Sequence, residues 1–235
     1  MLFSKLCTAA AWPSRRSREA RTENLIMYIP EHFRISDHAT ALAFMRANPF
    51  AILISCADDA PFATHVPVAV RETGDQVVIR GHVARANRHW RYLERQPGCL
   101  TIFHGPHAYV SVSNYLAREN VPTWNYAAVH VYGNARVFSA PQDLQKVLHE
   151  LIGTFEPAFA QHWDGLSDAY RDDMLRQIVG FEIAVTKIET KFKLSQNRTP
   201  EEQANVIASL GRAEDSAVSG VARLMREQGL GVKKE

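Results

Sequence analysis

The chain of 235 residues is long enough for one substantial domain, and 46% of its residues are apolar, which suffices for a hydrophobic core. Its 27 basic and 25 acidic residues give a net charge of +2, far from the strongly basic composition of a protein that neutralises many phosphates on DNA. No run of about 18 apolar residues occurs, so we expect a soluble, cytoplasmic protein without a transmembrane helix.

The first 26 residues differ in composition from the rest of the chain. Four arginines cluster between positions 15 and 21 without periodic apolar residues, which predicts disorder. Met27-Tyr28-Ile29-Pro30 is a more natural start for a folded domain, so residues 1–26 are alternatively the product of a mis-assigned translation start. We predict a barrel domain over residues 27–198 and a helical tail over residues 199–235.

One helix and an antiparallel meander are predicted next. Ser36 or Asp37 can cap a helix that ends before Pro49. Runs rich in β-branched and aromatic residues, separated by polar turns, then predict three strands. These strands cover residues 50–56, 62–70 and 76–82.

A second helix is predicted to interrupt the sheet just after His82. Trp90 and Leu93 lie at helical spacing, which predicts a helix over residues 84–96. A strand rich in apolar residues follows over residues 99–103.

The second half of the chain predicts a long strand and two inserted helices. Gly133 lies within a strand over residues 126–138 and is expected to mark a bulge. Pro141 begins one helix, and Ser167 leads into another that Gly180 is expected to close.

A last strand and the C-terminal helices complete the pattern. Apolar and polar residues alternate over 181–185, as in a strand with one buried face. Thr199 and Glu202 form a capping box before two helices, the second of which ends near Gly229. Because most strands are joined by hairpins, we predict an α+β, mainly β fold. It is an antiparallel, Greek-key split β-barrel with inserted and C-terminal helices.

Three polar blocks stand beside predicted strand ends, where a plain β-protein needs only turn residues. They combine cations, amides and a large aromatic ring, which are the groups that a planar, phosphorylated ligand requires. No glycine-rich phosphate loop occurs, so such a ligand would be held in another way. The blocks cover residues 81–87, 121–126 and 191–198.

The first block predicts a phosphate site. If a helix begins at residues 84–87, its first amides carry a partial positive charge, and Arg85 adds a full one. Asn87 is either a ligand contact or a group that bonds the first turn of the helix. Thr64 and His65, on the second strand, could hydrogen-bond the edge of a ring.

The other two blocks each have a structural and a functional interpretation. Trp124 and Tyr126 share one face of an extended segment, so their rings either pack at an interface or stack on a flavin. The segment with Lys193, Gln196 and Arg198 either caps the barrel or covers a ligand held by a second subunit.

Metal binding and thiol chemistry are not indicated by the sequence. Cys56 and Cys99 lie in apolar runs and have no paired metal spacing, so we expect buried free thiols in a reducing cytoplasm. Four histidines near predicted strand ends form no tight ligand motif, and no metal is predicted. They are His65, His82, His104 and His107.

In their order along the chain, these blocks resemble the PaiB family of FMN-binding negative transcriptional regulators, within the FMN-binding split-barrel superfamily. The likeness begins at Met27 and continues through residues 62–67, 81–87, 103–111, 121–126, 179–183 and 191–198. It implies a homodimer that holds FMN near the subunit interface, DNA as a candidate partner, and a role as repressor of protease synthesis and sporulation. The candidate cofactor-binding residues are Thr64, His65, His82, Arg85, Asn87, Trp124, Asn125, Lys193, Gln196 and Arg198.

Three functions remain open from the sequence. The first is an FMN-binding regulator that changes conformation or partner with flavin occupancy or redox state. The second is a flavin-dependent oxidoreductase, in which His65, Asn125 or Gln196 would hydrogen-bond the flavin or a small substrate. The third is a haem-handling split barrel, which requires an axial histidine. No acid, base or nucleophile triad is visible, so no catalytic residue is predicted.

Overall fold

Six antiparallel strands close into a barrel in the order β1-β2-β3-β6-β5-β4. The computed structural model describes residues 27–57 and 60–232, so the predictions for residues 1–26 lie outside it. The mainly β, antiparallel barrel with inserted and C-terminal helices is confirmed. Its strands are β1 (Phe50–Ala57), β2 (Ala60–Thr73), β3 (Gln76–Ala84), β4 (Gly98–Val110), β5 (Thr123–Phe138) and β6 (Ile178–Lys193).

Helices lie before, between and after the strands. The predicted caps are confirmed: Asp37 accepts a hydrogen bond from the Thr40 amide at 2.8 Å, and Thr199 and Glu202 form a capping box. No helix within the described ranges combines the length and hydropathy needed to cross a membrane. The helices are α1 (His38–Ala47), α2 (His89–Arg95), α3 (Pro141–Phe155), α4 (Phe159–Gly165), α5 (Asp168–Arg176), α6 (Pro200–Leu210) and α7 (Ser216–Glu227).

The hydrophobic core fills the barrel and continues under the C-terminal helices. Alternate residues of each strand point inward, and Phe103, Phe181 and Phe192 are almost fully buried there. Val221 and Met225 of α7 are fully buried in the same cluster. Residues 199–232 therefore share one core with the strands.

The helix predicted over residues 84–96 is shorter than expected, because β3 pairs with β6 as far as Ala84 and Ile178. The Arg85 amide then donates to the Gln177 carbonyl at 2.7 Å, and the Asn87 amide closes a turn on the Ala84 carbonyl. These bonds hold the segment in a turn, and α2 begins only at His89.

Two glycines mark the long β5–β6 pairing. The bulge predicted at Gly133 is confirmed, since the register shifts between Tyr132 and Gly133 and a Cβ here would lie 2.5 Å from the Ala184 carbonyl oxygen. The prediction that Gly180 closes a helix is wrong. Gly180 lies in β6 opposite Phe138, whose ring would be 2.3 Å from an added Cβ.

The cysteine prediction is only half right. Cys99 is buried, and burial raises the pKa of its thiol to about 12. Cys56 is exposed, because it follows the inward-facing Ser55 on β1 and therefore points out of the barrel.

Candidate functional site

The candidate cofactor-binding residues fall at the two ends of β6 and do not form one site within a single chain. β6 has 16 residues, so at about 3.3 Å per residue its ends are tens of ångströms apart along the strand. The first group lies at the start of β6 and contains His82 and Arg85. Asn87 follows Arg85 closely in sequence and bonds Thr64 of β2, which precedes His65. At the end of β6 lie Trp124, Asn125, Lys193, Gln196 and Arg198.

Thr64 and Asn87 belong to a buried hydrogen-bond network around His89. The His89 imidazole is fully buried and lies 3.0 Å from the Ser55 hydroxyl through Nε2 and 2.8 Å from the Thr64 hydroxyl through Nδ1. Asn87 donates to the Thr64 hydroxyl at 3.2 Å and accepts from the His89 amide at 3.0 Å. This network fixes the start of α2 against β1 and β2.

His89 makes the stability of this region depend on pH. Burial lowers the pKa of its imidazole to about 4 from an ordinary value of 6.5. The unfolded chain therefore binds the proton first as the pH falls, so the stability conferred by neutral His89 is complete above pH 6.5 and is lost towards pH 4. The shift corresponds to roughly 2–4 kcal/mol.

We predict that His89→Gln, which keeps a hydrogen-bonding side chain but cannot titrate, flattens the dependence of unfolding free energy on pH. Urea unfolding at pH 7 and at pH 4.5 measures the unfolding free energy at each pH. The wild type should lose more stability than His89→Gln over this interval, by about 1–3 kcal/mol. An equal loss in both proteins would contradict the assignment. His38→Gln, an exposed position, is the control.

Arg85 holds the junction between α5 and β6. Its guanidinium donates to the carbonyls of Arg176 at 2.6 Å and Ile178 at 3.0 Å, and its own carbonyl accepts from the Trp90 indole. Because α2 begins at His89, the predicted helix terminus for a phosphate does not form at Arg85. A ligand role for Arg85 stays a prediction.

His82 lies in a separate cavity beneath the inserted helices. Its imidazole faces Trp163 and Ile178 among other lining residues, and burial lowers its pKa. Its Nδ1 atom is buried without a hydrogen-bond partner.

The second group of candidates surrounds a pocket of about 450 Å³ at the end of β6, here called the cationic pocket. Three cations line it, and none of its described lining residues is acidic. Aromatic rings form part of its wall. The cations are Lys191, Lys193 and Arg198, and the rings are those of Tyr28, His32, Phe33 and Tyr115.

The cations of this pocket bond neutral groups. The Lys191 ammonium donates to the Tyr28 carbonyl at 2.8 Å. The Lys193 ammonium donates to the Thr123 hydroxyl and, at 2.6 Å, to the Trp124 carbonyl. The Arg198 guanidinium lies 3.9 Å from the centre of the Tyr115 ring. These cations thus have hydrogen-bond or ring partners, and no acidic residue stands among the described residues that line the pocket with them.

Lys193 shows the electrostatic consequence of this arrangement. Burial lowers the pKa of its ammonium, and the nearby charges of Lys191 and Arg198 lower it further. An anion in the pocket would counteract the lowering of the Lys193 pKa by Lys191 and Arg198, because an opposite charge stabilises the protonated form. The site is electrostatically prepared for an anionic group.

A strained turn positions Arg198. Ser195 has a φ of 65°, a left-handed conformation that costs energy in a residue other than glycine. The Asn125 amide donates to the Ser195 hydroxyl at 2.9 Å, and Gln203 donates to the Ser195 carbonyl at 3.2 Å. The Gln196 side chain folds back onto the backbone of β6 and its end, so it supports the turn.

Sequence reasoning missed the aromatic wall. Tyr115 follows β4 in a short 3-10 turn and carries no motif, so nothing in the sequence marked it. Its hydroxyl oxygen is buried without a partner. Phe33 and Tyr28 reach the pocket from the segment before α1, far from Lys193 in sequence.

We predict that Asn125→Ala loosens this turn. Asn125 is fully buried, and its loss leaves the Ser195 hydroxyl without its partner, which should lower the unfolding free energy by about 1–3 kcal/mol. Urea unfolding at pH 7 provides the measurement. Asn134→Ala, at an exposed position of the same strand, is the matched control and should change it by less than about 0.5 kcal/mol.

Exposed aromatic rings lie in two groups on the outside of the barrel, one on β1 and β2 and one on β4 and β5, and β1 pairs with β4 between them; together they are here called the stripe. The Phe50 and His65 rings stack with centres 6.1 Å apart, and His107 and Trp124 follow with 6.3 Å between theirs. Phe50, Tyr109 and Trp124 are each more than half exposed. The stripe consists of His65, Phe50, His104, His107, Trp124 and Tyr109.

The stripe contains three histidines, two of which lie close together. In residues 27–57 and 60–232, no three His, Cys, Asp or Glu side chains are placed to hold a metal ion. His104 and His107 approach each other to 4.9 Å between ring centres. Partial burial and the proximity of His107 lower the pKa of His104.

Comparisons with known proteins agree with this architecture. Residues 27–187 match the family model described as "Putative FMN-binding domain". The chain is 37% identical to the Bacillus subtilis protease synthase and sporulation protein PAI 2 over 86% of this chain and 98% of that protein.

Solved structures share the fold at lower identity. The FAD- and haem-binding protein from Mycobacterium smegmatis is 15% identical, with a TM-score of 0.54, over 68% of this chain and 73% of that one. The flavocytochrome Anf3 from Azotobacter vinelandii is 20% identical, with a TM-score of 0.52, over 68% and 69% of the two chains. These likenesses establish the split-barrel fold.

Proposed function

Because this chain belongs to the FMN-binding domain family, we propose that it is a PaiB-type regulator whose homodimer binds FMN through the cationic pocket. One observation carries the proposal. Lys191, Lys193 and Arg198 converge on an aromatic-walled cavity whose described lining residues include no Asp or Glu, as a phosphorylated planar ligand requires.

The residues of the pocket fit the chemical groups of FMN. Lys193 and Arg198 would hold the phosphate, because each keeps donors beyond the bonds it already makes. Tyr115 lines the pocket, and its buried hydroxyl has no hydrogen-bond partner among the described residues. When bound, the flavin would supply reversible electron-transfer chemistry, while the protein provides binding and orientation.

A second copy of the chain would complete this site. The stripe exposes large rings beside the pocket, and exposed apolar patches of this kind mark association surfaces. It also links the two separated groups of candidates, since His65 lies at one end and Trp124 near the other. Pairing two stripes would bring the Thr64 side of one protomer towards the Trp124 side of its partner, as an isologous interface does.

Flavin occupancy would be communicated to this face through Lys193. Its ammonium holds the Trp124 carbonyl, and the Trp124 ring belongs to the stripe. A phosphate bound to the remaining proton of Lys193 would draw the ammonium towards itself, and this shift would weaken the bond to the carbonyl and alter the position of Trp124. The regulatory output we propose is therefore a flavin-dependent change of partner binding.

Direct DNA binding receives less support than a protein partner. The net charge is +2, and α7 packs its apolar side on the barrel, while Arg223 on this helix pairs with Glu227. The name of the Bacillus subtilis relative refers to protease synthesis and sporulation, which supports a regulatory role without specifying how it is exerted.

We predict that Arg198→Ala and Lys193→Met each raise the Kd for FMN by about 10- to 100-fold, since each removes a charge-assisted contact to phosphate. Quenching of FMN fluorescence on titration with protein measures the affinity. Arg223→Ala, an exposed cation on α7, should leave it unchanged. Unchanged affinity in both pocket variants would place the phosphate elsewhere, and a loss confined to Arg85→Ala would place it at the start of β6.

Two further measurements on the purified protein distinguish the alternative functions. An absorbance spectrum with twin flavin bands supports the proposal, whereas a Soret band would indicate haem. Sustained oxidation of NADH or NADPH by the FMN-loaded protein with a small acceptor would instead indicate the oxidoreductase.

We predict that Phe50→Asp disrupts the homodimer, because it buries a charge within the paired stripes. Light scattering coupled to gel filtration should give the mass of two chains for the wild type and one for the variant. Phe155→Asp, at a similarly exposed ring outside the stripe, should remain dimeric. A monomeric wild type with and without FMN would refute the dimer.

A further inference from the structure

A second cavity lies between the outer surface of the barrel and the inserted helices α3, α4 and α5. Its volume is about 480 Å³, within the range of small-molecule sites. Its described lining residues include no Lys, Arg, Asp or Glu, in contrast to the cationic pocket. The walls are mainly apolar and aromatic, and include Leu148, Phe159, Leu166, Tyr170, Met174 and Ile178.

Two residues that line this cavity each carry a buried polar atom without a hydrogen-bond partner among the described residues. Trp163 is only 7% exposed, and its indole Nε1, which can only donate, is buried without an acceptor. The Nδ1 atom of His82 is also buried without a partner. Buried polar groups in proteins are nearly always hydrogen-bonded, so two orphans lining one cavity indicate a missing partner.

We propose that this cavity binds a small, uncharged, planar molecule that carries a hydrogen-bond acceptor. The acceptor would face the Trp163 indole, and a second polar group would face His82. The apolar walls favour a ring system, and the absence of charged lining residues disfavours an ionic ligand, whose desolvation would not be repaid.

This ligand is distinct from FMN and goes beyond the function proposed above. A phosphate needs cations, and the nearest candidate, Arg85, already donates to the carbonyls of Arg176 and Ile178. The cavity and the cationic pocket lie at opposite ends of β6. Ile178, at the start of this strand, lines the cavity, and Lys193, at its end, lines the pocket.

A ligand in this cavity would contact the helix that leads into β6. Met174 and Gln177 line it from the end of α5, directly before β6. A bound ring would join α5 to His82 on β3 and thereby tighten the α5–β6 junction that Arg85 holds.

The test uses the full chain saturated with FMN, so that the cationic pocket is not available to the probes. Coumarin and flavone serve as neutral planar carbonyl compounds, and coumarin-3-carboxylate as a charged analogue. Saturation-transfer NMR detects binding, and calorimetry measures the affinity. We expect saturable binding of at least one neutral probe and weaker binding of the carboxylate.

Two variants test whether the probes bind in this cavity. Trp163→Phe keeps a ring but removes the indole N–H, and should weaken binding by about three- to tenfold. Leu148→Trp should abolish it by filling the cavity. Trp90→Phe, whose indole bonds the Arg85 carbonyl outside the cavity, is the matched control. Circular dichroism and retained FMN binding verify that each variant is folded.

Several results would overturn the proposal. They are the absence of saturable binding by either neutral probe at millimolar concentration, equal affinity in Trp163→Phe and the wild type, and displacement of the probe by further FMN. The first two would mean that water satisfies the orphaned atoms, and the third that the flavin itself occupies this cavity. If the chain binds no FMN, the same titrations on the flavin-free protein, with circular dichroism as the check of folding, still test this proposal, so failure of the FMN proposal does not decide it.

Discussion

The pairing of β5 with β6 is the constraint on which the rest of the structure depends. The two strands are each 16 residues long and stay paired from Tyr126 opposite Lys193 to Phe138 opposite Gly180. Such a long antiparallel ribbon must twist and bend to join a closed barrel, and the bulge at Gly133 supplies a bend. Because only glycine fits against the Ala184 carbonyl there, the register of both strands is fixed at one point. Everything beyond that point, including Asn125 and Lys193, is positioned by it.

This register separates two environments along one strand. At the start of β6 the inserted helices cover the sheet and leave a neutral, apolar cavity. At its end the strand emerges beside Tyr28 and Tyr115 and carries cations that no acidic lining residue neutralises. The protein supports this concentration of positive charge with a rigid frame, in which Asn125 and Gln203 hold Ser195 in a left-handed conformation. A frame of this kind limits the reorganisation that anion binding would otherwise require.

The sequence predicted the barrel well because its strands bury one face. Alternation over residues 181–185 and the β-branched runs before Gly81 report directly on that burial. It failed where tertiary bonds override local preference. The helical spacing of Trp90 and Leu93 predicts a helix from residue 84, but the Arg85 amide donates to the Gln177 carbonyl and the helix begins only at His89. Gly180 has the local pattern of a helix end, but it lies in β6, where the absence of a side chain leaves room for the Phe138 ring on the neighbouring strand.

The candidate site was predictable in its chemistry and not in its assembly. Lys193 and Arg198 could be recognised because cations and amides at a strand end have no role in an ordinary turn. Their neighbours could not, since Tyr115 and Phe33 are brought to them only by closure of the barrel and by the path of the chain before α1. The same closure places the Trp124 ring on the outside while its carbonyl accepts from Lys193. In that geometry, one backbone carbonyl joins a cation of the pocket to a residue of the outer surface. In the proposed homodimer, association of two chains would lower the local dielectric constant around this bond and so strengthen the electrostatic effect of a bound phosphate on it.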